Sequence, residues 1–168
     1  MLKIHNPLVL TAPAPRTHHG VEVPYPANIV FISGQVGLRS DGRLAEGPRP
    51  QIEIAWRNLL AVLDSAGMVT ADLVKVTAYL TRMQDVEVYR EVRDEVLGEV
   101  ATASTVLIVA GLSKPSYLVE IEAYAAVHIP EAAGGGGGRK MGRAEAALAD
   151  FGKNFSDEDY LGEPEEVG

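Results

Sequence analysis

The amino-acid sequence predicts an α+β fold, a mixed sheet with two helices on one face. Short segments in which apolar and polar residues alternate are interrupted by two segments with apolar residues at helical spacing. In the last alternating segment, LVEIEAYAAV (118–127), one face carries Glu120, Glu122 and Tyr124. Two helices cover only one face of such a sheet, so the acidic face needs another cover. A second copy of the same protein is the simplest one.

The first predicted elements are a strand, a turn and a helix. The strand is predicted at 29–33, and Asp41-Gly42 is typical of a hairpin turn. The helix has Pro50 in its first turn and ends at Gly67. Apolar residues recur along it at helical spacing, namely Ile52, Trp56, Leu59, Leu60 and Leu63. This spacing predicts one buried face, with the indole of the tryptophan in the core.

The second half of the chain continues the alternation of strands and helices. LVKVTAYLT (73–81) predicts a strand. Its inward side chains are predicted to be Val74, Val76, Ala78 and Leu80. A second helix is predicted from Asp85 to Leu97. Its buried stripe consists of Tyr89, Val92 and Val96. A continuous apolar strand at 105–110 and the segment 118–127 complete the sheet.

Composition excludes several classes of function. With 168 residues the chain is expected to form one domain, and its net charge of −8 argues against a nucleic-acid-binding surface. The absence of cysteine excludes disulfides, thiolate metal sites and a cysteine nucleophile. The longest apolar run, 105–112, is too short to span a membrane, so we expect a cytoplasmic protein. No cofactor and no metal site are predicted.

A glycine run divides the chain. Because five consecutive glycines have the composition of a flexible linker, we predict a domain over 1–130, a linker over 131–138 and a tail over 139–168. The tail carries eight acidic and four basic residues, and thus half of the net charge. It is either a solvating extension or a segment that docks on a protein partner. Docking is the favoured interpretation, because Phe155 and Tyr160 accompany the acids.

Five segments occur in a characteristic order and spacing. They are FISGQVGL (31–38), NLLAVLDSAGM (58–68), DLVKVTAYLTRMQD (72–85), ASTVLIVAGL (103–112) and LVEIEAYAAV (118–127). Together they resemble the RidA/YjgF superfamily, with its chorismate mutase-like fold, over roughly residues 8–128. The resemblance implies a homotrimer whose sheets form a central barrel with the helices outside. It also implies small-molecule pockets in the clefts between subunits.

The resemblance also implies a chemistry, because well-known members hydrolyse reactive enamines and imines. It places Ser33, Gly34 and Gln35 of the first strand in the pocket, and Glu120 as the acid that positions water or passes protons. In the active deaminases an arginine starts the penultimate strand, where this chain has Ser104. A serine can donate a hydrogen bond to a carboxylate but lacks the charged, bidentate pairing of a guanidinium. We therefore expect an altered substrate rather than 2-aminoacrylate.

Two further departures concern the N-terminal region and the second helix. The tyrosine that the family carries near its N-terminus is replaced by Gly20, beside His18 and His19. His19 is a candidate pocket residue because an imidazole can carry protons near neutral pH. The lost cation could have reappeared as Arg90 on the second helix, although a solvated surface charge is the ordinary alternative.

Two classes of function remain open. In the first, the intersubunit cleft processes an enamine-like, imine-like or related acidic metabolite, with Glu120 and Ser104 as catalytic residues. In the second, the cleft only binds a metabolite, or the protein is a scaffold whose tail docks a partner. Glu120 fits either class, since it could instead form an ion pair across the subunit interface.

Overall fold

The computed structural model describes residues 1–129. The predicted linker at 131–138 and the predicted docking tail at 139–168 lie outside the described residues. Within the described range, no helix combines the length and the apolar character needed to cross a membrane.

Seven strands and two helices follow one another along the described chain. The strands are β1 (Lys3–His5), β2 (Thr17–His18), β3 (Gly20–Glu22), β4 (Ala27–Val36), β5 (Leu73–Leu80), β6 (Thr102–Ile108) and β7 (Val119–His128). The helices are α1 (Pro48–Ser65) and α2 (Val86–Leu97), and short 3-10 turns at Thr70–Asp72 and Met83–Asp85 precede β5 and α2. The predicted turn at Asp41-Gly42 is present, with Gly42 at φ 82°.

The main sheet is mixed, as predicted. Its five strands lie in the order β2-β6-β5-β7-β4. Strand β6 runs parallel to β2 and β5, whereas β7 runs antiparallel to β5 and β4. Strands β1 and β3 form a separate two-stranded antiparallel sheet. Strand β2 is therefore one edge of the main sheet and β4 is the other.

Both helices pack on the same face of the main sheet and bury one continuous core. Trp56 of α1 stacks on Tyr89 of α2 with ring centroids 6.5 Å apart, and both side chains are fully buried. The five apolar residues predicted to line the first helix are all buried, which confirms its predicted face. On β5 the prediction for Val74 is wrong. The pairing with β7 shifts by one residue between Leu73 and Lys75, so Leu73 is buried and Val74 only half-buried.

The opposite face of the sheet has no helix on it within residues 1–129. Phe31 of β4 is 73% exposed and meets Tyr124 of β7 edge to face at 5.3 Å, and Leu107 of β6 is also exposed. This uncovered apolar surface fits the expectation that another molecule covers the face with Glu120 and Glu122.

Candidate functional site

A β-bulge in β4 is the centre of the candidate site. Ile32 pairs with Ala123 and Gln35 pairs with Ile121, so Ser33 and Gly34 together oppose a single residue of β7. Such bulges redirect backbone groups and side chains at the place where they occur. The bulge therefore brings the predicted pocket residues of β4 beside the acidic stretch of β7.

Gly34 lies directly against the side chain of Glu120. A Cβ atom added to Gly34 would lie 1.8 Å from Oε1 of Glu120 and 2.6 Å from its Cδ. The residue at position 34 must therefore lack a side chain for the carboxylate to occupy this place. Glu120 is half-buried, and its carboxylate makes no hydrogen bond within residues 1–129. The bulge thus holds a carboxylate whose acceptor atoms are available to a ligand or a water molecule.

Glu122 differs from Glu120 because it already has a partner. The hydroxyl of Tyr79 donates a hydrogen bond to Oε1 of Glu122 at 3.0 Å. This bond raises the pKa of Tyr79, because ionising the phenol would place two negative charges together. Of the two carboxylates on this face, Glu120 is therefore the one without a hydrogen-bond partner in residues 1–129.

The other residues predicted on β4 lie in the bulge itself. The side-chain amide of Gln35 donates a hydrogen bond to the backbone carbonyl of Ser33 at 3.0 Å. In the sheet, Gln35 pairs with Ile121, the residue that follows Glu120. Ser33 is exposed, so its hydroxyl faces away from the core.

Ser104 and Glu120 do not meet within one chain. Ser104 pairs with Val76 on the helix-covered side, whereas Glu120 pairs with Tyr79 on the open side. Two strand spacings across the sheet and three residues along it separate their Cα atoms by about 14 Å. A site that uses both residues therefore needs a second copy of the chain to bring them together.

The hydroxyl of Ser104 has an unusual environment. Its Oγ is fully shielded from solvent, yet it has no hydrogen-bond partner among the residues that the structure describes. A buried hydroxyl of this kind normally finds an acceptor or a donor. Ser104 is therefore a buried hydroxyl whose hydrogen-bonding capacity is unused within residues 1–129.

Arg90 and His19 are already engaged within the chain. The guanidinium of Arg90 pairs with Glu87 on the same helix, and 53% of its side chain is exposed. The ring Nε2 of His19 lies 2.8 Å from the carbonyl oxygen of Thr11, and His19 is exposed. Their places in a pocket stay predictions. No group of three or more potential metal ligands occurs in the described part of the chain.

Several polar residues of the open face were missed by sequence reasoning. Lys75 donates a hydrogen bond to the hydroxyl of Thr105, and partial burial lowers the pKa of its amine. Lys75 and Tyr79 extend the polar surface of β7 across β5 to β6. The period-two pattern of 73–81 could have identified Lys75 and Tyr79, because both alternate with the buried apolar residues of the strand.

The family described as Endoribonuclease L-PSP matches residues 10–127. The chain belongs to this family. The match confirms the resemblance to the RidA/YjgF superfamily. A RutC family protein of Pyrococcus horikoshii is 36% identical over 100 residues, which are 58% of this chain and 79% of the relative. A protein of Dermatophagoides farinae named 2-iminobutanoate/2-iminopropanoate deaminase is 31% identical over 97 residues, 56% of this chain and 75% of that protein.

Solved structures confirm the fold. YyfB, a Rid family protein of Yersinia pestis, has a TM-score of 0.67 at 26% identity and covers 75% of this chain and 98% of its own. The TdcF protein of Escherichia coli, solved with bound serine, has a TM-score of 0.56 at 26% identity. The match covers 69% of this chain and 89% of the TdcF chain. Both agree with a mixed sheet that carries two helices on one face.

Proposed function

We propose that the protein hydrolyses a small enamine- or imine-like metabolite that carries an acidic group, at a site completed between copies of the chain. The carboxylate of Glu120 is the observation that carries this proposal, because it is half-buried, lies against Gly34 and makes no hydrogen bond in the described chain. A relative named as an iminobutanoate and iminopropanoate deaminase supports the class of substrate.

The proposed reaction needs a general base and then a general acid. The side chain of Glu120 can serve as both, first as the carboxylate and then as the protonated carboxyl group. Water adds to the carbon of the protonated imine while Glu120 accepts a proton from that water. The carboxyl group then returns the proton to nitrogen. Ammonia leaves as the carbonyl forms, and the hydroxyl proton passes to the carboxylate of Glu120. The protonated imine and water thus become ketone, ammonia and a proton. An enamine enters the same sequence after protonation at carbon.

The proposed site extends across a homotrimer interface. Ser104 and Glu120 lie on opposite faces of one sheet, and the exposed rings of Phe31 and Tyr124 on the open face are uncovered in residues 1–129. A neighbouring copy would bury these rings and enclose Glu120. Light scattering on the full-length chain tests the assembly, and a monomeric mass at micromolar concentration contradicts it.

Replacement of Glu120 tests the chemistry. Imines of several 2-keto acids, generated enzymatically in the cuvette, are supplied to the protein and to its Glu120→Gln and Glu122→Gln variants. We expect Glu120→Gln to lower the hydrolysis rate by about 10²- to 10⁴-fold, the usual contribution of a general acid–base group. Glu122→Gln is the matched control on the same face and should keep most of the activity. Equal activity of Glu120→Gln and the unsubstituted protein refutes the proposal.

A second function, binding without turnover, is favoured by one observation. The position that starts the penultimate strand holds a neutral serine, and no cation contacts Glu120 within the described chain. If no imine decays faster than in buffer while a keto acid still raises the melting temperature, binding is the function.

A further inference from the structure

Helix α1 carries two amide side chains that bind backbone groups outside the helix. Gln51 and Asn58 lie seven residues apart, almost two helical turns, so both side chains are on the same side of α1. Gln51 is buried and Asn58 is half-buried. Amides in such places fix the backbone that they bind, because a broken hydrogen bond would leave a buried polar group unsatisfied.

Gln51 holds the segment that leads into β7. Its side-chain amide donates to the carbonyl of Ser116 at 3.1 Å, and its side-chain oxygen accepts from the backbone N–H of Leu118 at 2.9 Å. Both bonds require a side chain that donates and accepts at once. Leu118 lies two residues before Glu120. The position of Glu120 along β7 is therefore set close to a point where the chain is tied to α1.

Asn58 holds β4 at the residue that lies opposite Glu120. The Nδ2 of Asn58 donates to the backbone carbonyls of Val36 and Leu38, at 3.1 and 2.9 Å. Val36 pairs with Glu120 in the ladder between β4 and β7. The same helix thus ties down both strands of the candidate site, one on each side of the pair that contains the carboxylate.

Strand β4 needs such an anchor because it is an edge strand with a bulge. In the described sheet it pairs with β7 alone, and the register shifts between Ile32 and Gln35. A slip of one residue turns side chains to the other face of a sheet. Gly37 adds a third point of attachment, since a Cβ atom on it would lie 2.6 Å from the Cα of Gln51. This close approach and the two amides oppose a slip of β4 along β7.

We infer that Gln51 and Asn58 are positioning residues, which fix the register of β4 against β7 and thereby hold the carboxylate of Glu120 beside Gly34. This inference rests on the proposed function, in which Glu120 transfers the protons. Asn58 acts through Val36 and Gln51 acts through the backbone of Leu118. A catalytic group that is displaced by about 1 Å loses about 10²-fold in rate.

Gln51→Met tests the inference, because methionine has a similar volume but can form neither hydrogen bond. In imine hydrolysis it should lower kcat by about 10²-fold with KM nearly unchanged. The carboxyl-carbon NMR resonance of Glu120, identified by its loss in Glu120→Gln, should also move, and this readout needs no turnover. Asn58→Leu should act likewise. Thr102→Val is the matched control, since it removes a buried hydrogen bond between β6 and the carbonyl of Leu73 on β5, and it should change neither quantity.

Gln51→Glu separates positioning from a general loss of stability. Its carboxylate cannot donate to the carbonyl of Ser116, whereas the protonated carboxyl group donates and accepts as the amide does. Burial favours the protonated form, and the two backbone groups at Ser116 and Leu118 do not titrate. Relative to the unsubstituted protein at each pH, the kcat of Gln51→Glu should rise about 10-fold from pH 8 to pH 5. The Glu120 resonance should return toward its position in the unsubstituted protein.

The outcomes separate this inference from the proposed function. An unchanged Glu120 resonance in Gln51→Met, or an equal movement in Thr102→Val, overturns the inference. So does an unchanged kcat of Gln51→Met on an imine that the unsubstituted protein hydrolyses. If Gln51→Met does not fold, Gln51→Glu decides, and a resonance that does not return at low pH overturns the inference as well. If the resonance moves only in the Gln51 and Asn58 variants while no imine is hydrolysed, the positioning role stands and the proposed function fails.

Discussion

Replacement of Gly34 by alanine tests the contact on which the candidate site depends. The new methyl carbon would lie 1.8, 2.6 and 2.8 Å from Oε1, Cδ and Cγ of Glu120, all far below van der Waals contact. Because three atoms of the glutamate are involved, the side chain must leave its rotamer or the bulge must shift. Overpacking of this kind costs about 1 to 3 kcal/mol, and a carboxylate displaced by about 1 Å loses about 10²-fold in rate.

Urea denaturation of a double-mutant cycle measures this contact. Gly34→Ala should lower the free energy of unfolding by about 1 to 3 kcal/mol in the unsubstituted protein and by much less in a Glu120→Ala background, where the clash is removed. Gly111→Ala is the matched control, because nothing lies within 4 Å of the place that its new methyl carbon would take. Its effect should stay within about 0.5 kcal/mol.

The cycle can refute the reasoning directly. If Gly34→Ala destabilises the protein equally with and without the glutamate side chain, the two residues are not coupled. The bulge would then require glycine for its own backbone, and the position of Glu120 would need another explanation. Unchanged hydrolysis by Gly34→Ala would likewise separate the contact from the chemistry.

Three further predictions concern the core and the charged surface. Trp56→Ala should lower the free energy of unfolding by about 3 to 5 kcal/mol, because the indole is fully buried, and guanidinium denaturation measures the loss. Asp85→Asn should cost about 1.5 to 3 kcal/mol by the same assay, since the buried carboxylate accepts two hydrogen bonds from Arg82. Burial raises the pKa of Glu53 in the folded protein despite the ion pair with Arg49, so the folded state binds a proton more tightly at Glu53 than the unfolded state does. This proton linkage stabilises the fold fully below the unfolded pKa of Glu53, and the stabilisation is lost as the pH rises through the folded pKa. Thermal melts from pH 7 to pH 4 should therefore show the stability of the unsubstituted protein rising relative to Glu53→Gln as the pH falls, and a pH-independent difference would contradict this.

Much of the fold could be predicted from local patterns. The spacing of Trp56 and its neighbours predicted the buried face of α1, and the alternation in 118–127 placed Glu120 and Glu122 on the uncovered face. Both patterns reflect the geometry of one element, which repeats every 3.6 or 2 residues whatever it packs against. Val74 shows the limit, because a shift in pairing with β7 exchanged its place with Leu73.

The amino-acid sequence by itself determined the fold class, the membership of the family and the residues that line the acidic face. Only the tertiary structure decided that Gly34 makes room for Glu120, that Tyr79 donates a hydrogen bond to Glu122, and that Nη1 of Arg16, just before β2, has no acceptor in residues 1–129. These relations depend on strand register and on a left-handed turn at Arg16, which join residues far apart in the chain. No local period encodes such contacts, because they form only when the sheet has assembled.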